Sequence, residues 1–158
     1  MVEDLGSTDD FDFNDIVVDV EIYDVKKITK RNGVISGTEV VKADQQRAVV
    51  RALGGTIDFE LYIGDTNTPW IKSVDSEYSV GTMVNTTNIN FKQELAKFDV
   101  TGWDPELNNI RVVVNGNPSQ GTQPRSIDFP KAGEVPMIIA YDTNVNWQAE
   151  RVSLPKSW

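Results

Sequence analysis

The chain contains neither cysteine nor histidine. Their absence removes Cys/His zinc sites, histidine-assisted serine or cysteine nucleophiles, disulfides and haem ligation together. No apolar run approaches the ~20 residues that a membrane-spanning helix needs, so no such segment is expected in this chain. No signal peptide is visible, because Met1 leads straight into acidic residues, and an excised domain or mature fragment is expected. Base is scarce in a particular place: the first 24 residues hold no lysine or arginine. The only basic cluster is Lys26, Lys27, Lys30 and Arg31, which reads as the solvated tip of a hairpin. An acidic chain without a larger basic patch is not expected to bind nucleic acid.

What is present is acid, and it is unevenly placed. The formal net charge is −9, and nine acids fall in the first 24 residues, from Glu3 to Asp24. The other 15 acids are matched by all 15 bases, so the remainder of the chain is neutral. A length of 158 residues suits one domain with a real core.

The patterning is β from end to end. Ile16 to Tyr23 alternates apolar and acidic residues, Asn32-Gly33 marks a two-residue hairpin turn, and Val34 to about Lys42 is expected to return. Ala48–Leu53 and Thr56–Ile63 read as a second hairpin around Gly54-Gly55, with Ile57, Phe59, Leu61 and Ile63 facing one way. The stretch from Gly64 to Lys97, rich in Thr, Asn and Ser, reads as long loops with a short strand near Ile89–Phe91; Phe91 to Phe98 can form a helical turn or two. Ile110–Val114, Ser126–Phe129 and Pro136–Tyr141 are further expected strands, and Asn115-Gly116 a turn. Eight to ten short strands predict an all-β, single-domain sandwich or jelly roll over residues 1–158, with long loops and at most one short helix.

The candidate site is the segment Asp10-Phe11-Asp12-Phe13-Asn14-Asp15. Calcium (Ca2+) takes six to eight oxygens, mainly carboxylates and carbonyls. Asp10, Asp12 and Asn14 lie at i, i+2 and i+4, so an extended backbone aims all three to one side while Phe11 and Phe13 anchor the other. The spacing imitates the start of an EF-hand loop, and Glu21 falls at its twelfth position. Asp15, however, occupies the glycine position and a β-branched strand follows, which excludes an EF-hand. By spacing alone, a calcium site and a solvated acidic loop whose aspartates cap turns stand level. Mutual repulsion of Asp10, Asp12 and Asp15, beside Phe11, Phe13 and Ile16, favours the cation. Magnesium, which keeps its waters and uses few carboxylates, suits the segment less well.

Glu3-Asp4-Leu5-Gly6 followed by Asp10-Phe11-Asp12-Phe13-Asn14-Asp15-Ile16-Val17 resembles the "EDLG…D-x-DFND-[IV]-V" signature of the LruC-type domain family of bacterial secreted and surface proteins, notably lipoproteins of Bacteroides-like organisms. Arg51-Ala52-Leu53-Gly54-Gly55 is similar to that family's "L-x-A-x-G" step, and Val135–Ile139 with Trp147 to Glu150 resembles its late segment. The resemblance implies an extracellular or cell-surface β domain, calcium-dependent, with no catalytic residues to transfer. It carries over Asp10, Asp12, Asn14 and Asp15 as metal ligands, then Asp4 and Glu3, with Glu150 as a carboxylate from across the fold.

Two other function classes compete. A glycosidase needs two carboxylates about 5–9.5 Å apart, but among 24 acids some pair meets that spacing by chance, so no enzyme is expected. A carbohydrate-binding module would use loop tryptophans: Trp70 beside Pro69 and Trp103 beside Asp104-Pro105 can stack on sugar rings, or can fill core edges instead. The expectation is therefore a non-enzymatic, extracellular calcium-binding β domain in structural or adhesive service, with a glycan or a surface protein as partner.

Overall fold

A computed structural model of the chain describes residues 1, 15–55, 57–72, 84–115, 123–133, 138–140 and 147. Seven strands are found among them: β1 (Ile16–Arg31), β2 (Val34–Leu53), β3 (Phe59–Ile63), β4 (Ile71–Lys72), β5 (Ala96–Val100), β6 (Ile110–Val114) and β7 (Arg125–Ile127). They form two antiparallel sheets, one in the order β1-β2-β5 and one in the order β4-β3-β6-β7. The expected all-β fold holds, and no helix occurs among the described residues.

The sheets share one core. Ile16, Ala48, Val50 and Val100 of the first sheet meet Phe59, Leu61, Ile63, Val112, Val114 and Ile127 of the second, and Ile138 joins them. This is face-to-face sandwich packing, in which alternate residues of each strand point inward. The predicted face Ile57, Phe59, Leu61, Ile63 points into that core, with Ile57 at its margin. Tyr62 lies on the opposite face yet is also buried, beneath the Arg111 guanidinium, 3.8 Å from its ring centroid. A smaller cluster of Val17, Ala52 and Trp147, with Met1 and Ile89 against it, covers the back of the β1–β2 base.

Several local expectations are corrected. The strand expected to end near Lys42 runs on as one strand to Leu53, because Gln45, Gln46 and Arg47 continue to pair with Tyr23, Ile22 and Glu21. Ala48–Leu53 is therefore the root of β2, paired with β1 and β5, rather than half of a hairpin with 57–63, which belongs to the other sheet. Residues 91–98 do not form a helical turn with a shared apolar face. Phe91 lies in a tight turn and Ala96–Val100 is β5, since its backbone pairs with Gln46–Val50. Ile89–Phe91 is not a strand; its backbone is engaged with the Asn85 side chain instead. Gly116, Pro136, Met137 and Tyr141 lie outside the described residues.

The β1–β2 hairpin is unusually long, at 16 and 20 residues, and its register is interrupted by irregularities near Val17, Tyr23–Lys26 and Thr29. Beyond the body, residues 24–44 are exposed throughout. The turn is Asn32-Gly33, both at positive φ as a mirror-image hairpin turn requires. The arm carries Val25 and Ile28 on β1 and Val34, Ile35, Val40 and Val41 on β2, six of the ten exposed large apolar side chains among the described residues, and Ile22 lies just below it.

Candidate functional site

The predicted metal segment meets the fold at Asp15. The next residue, Ile16, is 1% exposed and pairs with Leu53. The Asp15 carbonyl accepts hydrogen bonds from the amides of Gly54 (3.0 Å) and Gly55 (3.3 Å), which follow β2 directly. The last residue of the acidic segment is thus clamped where the chain passes into the core. Glu3, Asp4, Asp10, Asp12, Asn14 and Glu150 lie outside the described residues. Among the described residues no group of three or more acidic side chains comes together to hold a metal ion. The donor set read from the sequence is carboxylate and amide oxygen only, which suits a hard cation.

Beside this clamp, Val84 exchanges backbone hydrogen bonds with Leu53 at 3.1 and 2.8 Å. Asn85, at φ 59°, then ties three strands of chain together. Its Nδ2 donates to the carbonyls of Arg51 (2.7 Å) and Asn90 (3.0 Å), and its Oδ1 accepts from the Asn90 amide (2.6 Å). The Asn85 carbonyl accepts from Trp147 Nε1 at 3.2 Å, and Phe91 meets the Trp147 ring edge-on. None of this was expected from the sequence, where Asn85 sits in a polar stretch without periodicity.

The downstream half of the acidic stretch is partnered. Arg47 donates from Nε and Nη2 to Glu21 Oε2 at 3.0 and 2.8 Å, and Arg51 Nε donates to Asp19 Oδ2 at 2.7 Å. Arg47 also covers the Tyr23 ring, whose hydroxyl donates to Asp99 Oδ1 at 3.0 Å. Glu21 and Arg47 are register partners, so the cross-strand pair follows from the hairpin. The signal was present in the i, i+4 spacing of Arg47 and Arg51, but it becomes readable only once β2 is one strand.

A second polar group lies on the outer face of the other sheet. Tyr62 Oη donates to Glu60 Oε2 at 2.6 Å, and Lys72 Nζ lies 3.4 Å from Glu60 Oε1. The Tyr62 hydrogen bond, followed by Lys72, holds the Glu60 carboxyl below its ordinary range, and the same bond pushes the Tyr62 phenol up. Both shifts move away from neutrality, so this pair is ill-suited to acid–base exchange at pH 7.

Of the candidate sugar-stacking residues, Trp70 is exposed and Trp103 half-buried. The Trp70 ring lies 5.9 Å from that of Phe98 at 20°, its Nε1 donates to the Ile63 carbonyl at 2.8 Å, and the residue is 36% exposed. Trp103 packs against the main core, and its backbone exchanges hydrogen bonds with the Gln46 side chain at 2.7 and 3.0 Å. No family model matches the chain, and no curated protein or solved structure matches it either.

Proposed function

We propose that this chain is a non-enzymatic, calcium-binding β domain of a bacterial surface or secreted protein, and that the ion serves structure. Asp10, Asp12, Asn14 and Asp15 are the main ligands, with Asp4, Glu3 and Glu150 as further donors. The observation that carries the reading is the clamp at Asp15. Asp15, joined to Ile16 and hydrogen-bonded through its carbonyl to Gly54 and Gly55, is the point through which an ion bound by the segment would reinforce the base of the β1–β2 hairpin. Neutralising the segment's carboxylates therefore adds to the stability of the whole sandwich. The likeness to LruC-type domains supports the surface location and a role in adhesion or surface assembly. Outside the cell, calcium is abundant enough for a module with a dissociation constant of about 10⁻⁴–10⁻³ M.

The test is thermal unfolding in EDTA and across a calcium titration, with magnesium as control. At about 100 times the dissociation constant, linkage contributes about 2.7 kcal/mol, which raises Tm by about 5–10 °C for a domain of this size. Asp12→Ala is expected to abolish that shift while leaving the EDTA curve unchanged. A chain whose Tm ignores calcium, or a variant that responds like the parent, overturns the reading.

A further inference from the structure

Strand β1 is segregated by charge along its length. Its first nine residues contain Asp19, Glu21 and Asp24 and no base; its last seven contain Lys26, Lys27, Lys30 and Arg31 and no acid. Arg47 and Arg51 offset Glu21 and Asp19 from the neighbouring strand, but Asp24 and Asp44 lie together at the arm's root with an amide–carboxylate bond and no ion pair among the described residues. The strand is also an edge: in the order β1-β2-β5 it pairs with β2 alone among the described residues. It extends about 50 Å at the usual rise per residue.

An edge of that length, with no second partner among the described residues, is an invitation to pair with another chain. The arm adds a second reason, because a two-stranded ribbon is marginal in water without a third strand or a covering surface. One face of the arm alternates Lys26, Ile28 and Lys30 beside their partners Val40, Thr38 and Ile35. Ile28, Ile35 and Val40 on that face are each about half exposed.

We infer that two copies of this chain associate through β1, antiparallel across a two-fold axis near Tyr23 and Asp24. In an isologous contact each strand half meets the opposite half of its partner. That arrangement sets the acidic half of one β1 beside the basic half of the other, twice. A parallel or tip-to-tip arrangement sets like charges together instead. Lysines and irregularities also serve to protect edges. Protection requires only charge, however, whereas the order of signs along β1 makes the strand complementary to its own antiparallel copy. The inference does not rest on the calcium reading, since the arm and the acidic loop are separate segments.

Sedimentation velocity on the full chain tests it, from about 1 µM to about 100 µM protein, a range that brackets a modest interface. A concentration-dependent species of twice the 17.6 kDa chain mass is expected. Its dissociation constant should rise at least about tenfold between about 0.05 and about 0.5 M salt, as the charges are screened. The double variant K26E/K27E, which sets glutamates beside Asp19 and Glu21 of the other copy in both contacts, is expected to be monomeric, with unchanged circular dichroism. A wild-type chain that is monomeric throughout overturns the inference. A dimer indifferent to K26E/K27E overturns the antiparallel β1 contact.

Discussion

Asn85 shows how much one polar side chain can hold when the backbone around it has no regular partner. Its amide group satisfies the Arg51 carbonyl and both polar groups of Asn90, and its own carbonyl receives the buried Trp147 indole. Positive φ is tolerated better by asparagine than by most residues, which is why this residue type suits the position. Asn85→Ala removes three hydrogen bonds and leaves strained backbone, so a loss of about 2–4 kcal/mol is expected in urea unfolding. Asn85→Gly relieves the φ strain while losing the same bonds, and it should recover about 1 kcal/mol of that loss. If both variants unfold at the wild-type midpoint, the Asn85 network contributes nothing. Such a hub is not legible in sequence, because its partners are backbone atoms that any residue could supply. The nearby Thr86 hydroxyl is fully buried with no hydrogen-bond partner among the described residues, and nothing in the composition marks that either.

At the scale of elements, two glycines with the same φ of 80° make opposite demands. At Gly33, in the arm's turn, a Cβ would meet nothing within 4 Å. At Gly64, after β3, a Cβ would collide with the Thr101 carbonyl oxygen and lie 2.8 Å from the Gly102 carbonyl carbon. Both obstacles are backbone and neither can rotate away. Gly33→Ala is expected to cost about 1 kcal/mol, the conformational term alone, and Gly64→Ala at least about twice that, with the two chains pushed apart. Equal unfolding midpoints for the two variants would show that the close approach at Gly64 is not tight. The Asn32-Gly33 turn was readable because its chemistry is local. The continuation of β2 past Lys42 was not, since Asp44 sits at φ 49° in a register irregularity and Gln45 and Gln46, without an apolar face, are held as strand by Tyr23, Ile22 and Val100. The alternation in 57–63 located the core face correctly but could not say which sheet it joined, because periodicity carries no pairing information.

For the whole molecule the governing fact is how acids and bases are distributed along the chain. Downstream of Asp15 the fold supplies arginines for Asp19 and Glu21, and lysine and a phenol for Glu60. Among residues 1–24 the sequence holds no lysine or arginine. This asymmetry makes acid a sharp discriminator between structural carboxylates and ligands. Glu60 has a folded-state pKa below its ordinary 4.5, so its contribution is complete above that value and is lost as pH falls through the folded pKa. That loss is the same with or without calcium, and it cancels in the difference between the two unfolding curves. What remains, on the calcium reading proposed above, is the protonation of the proposed ligands: a hard cation binds ionised carboxylates, so its binding is weakened once pH approaches their unperturbed range of about 4. The calcium-induced rise in Tm is therefore expected to be constant from about pH 7 to about pH 6, to shrink below about pH 5, and to vanish near about pH 3.5. Paired thermal scans in calcium and in EDTA at each pH read it directly. A shift that persists undiminished into the acid range would mean that the ion is held by carbonyls alone, and the Asp10–Asp15 ligand set would fall with it.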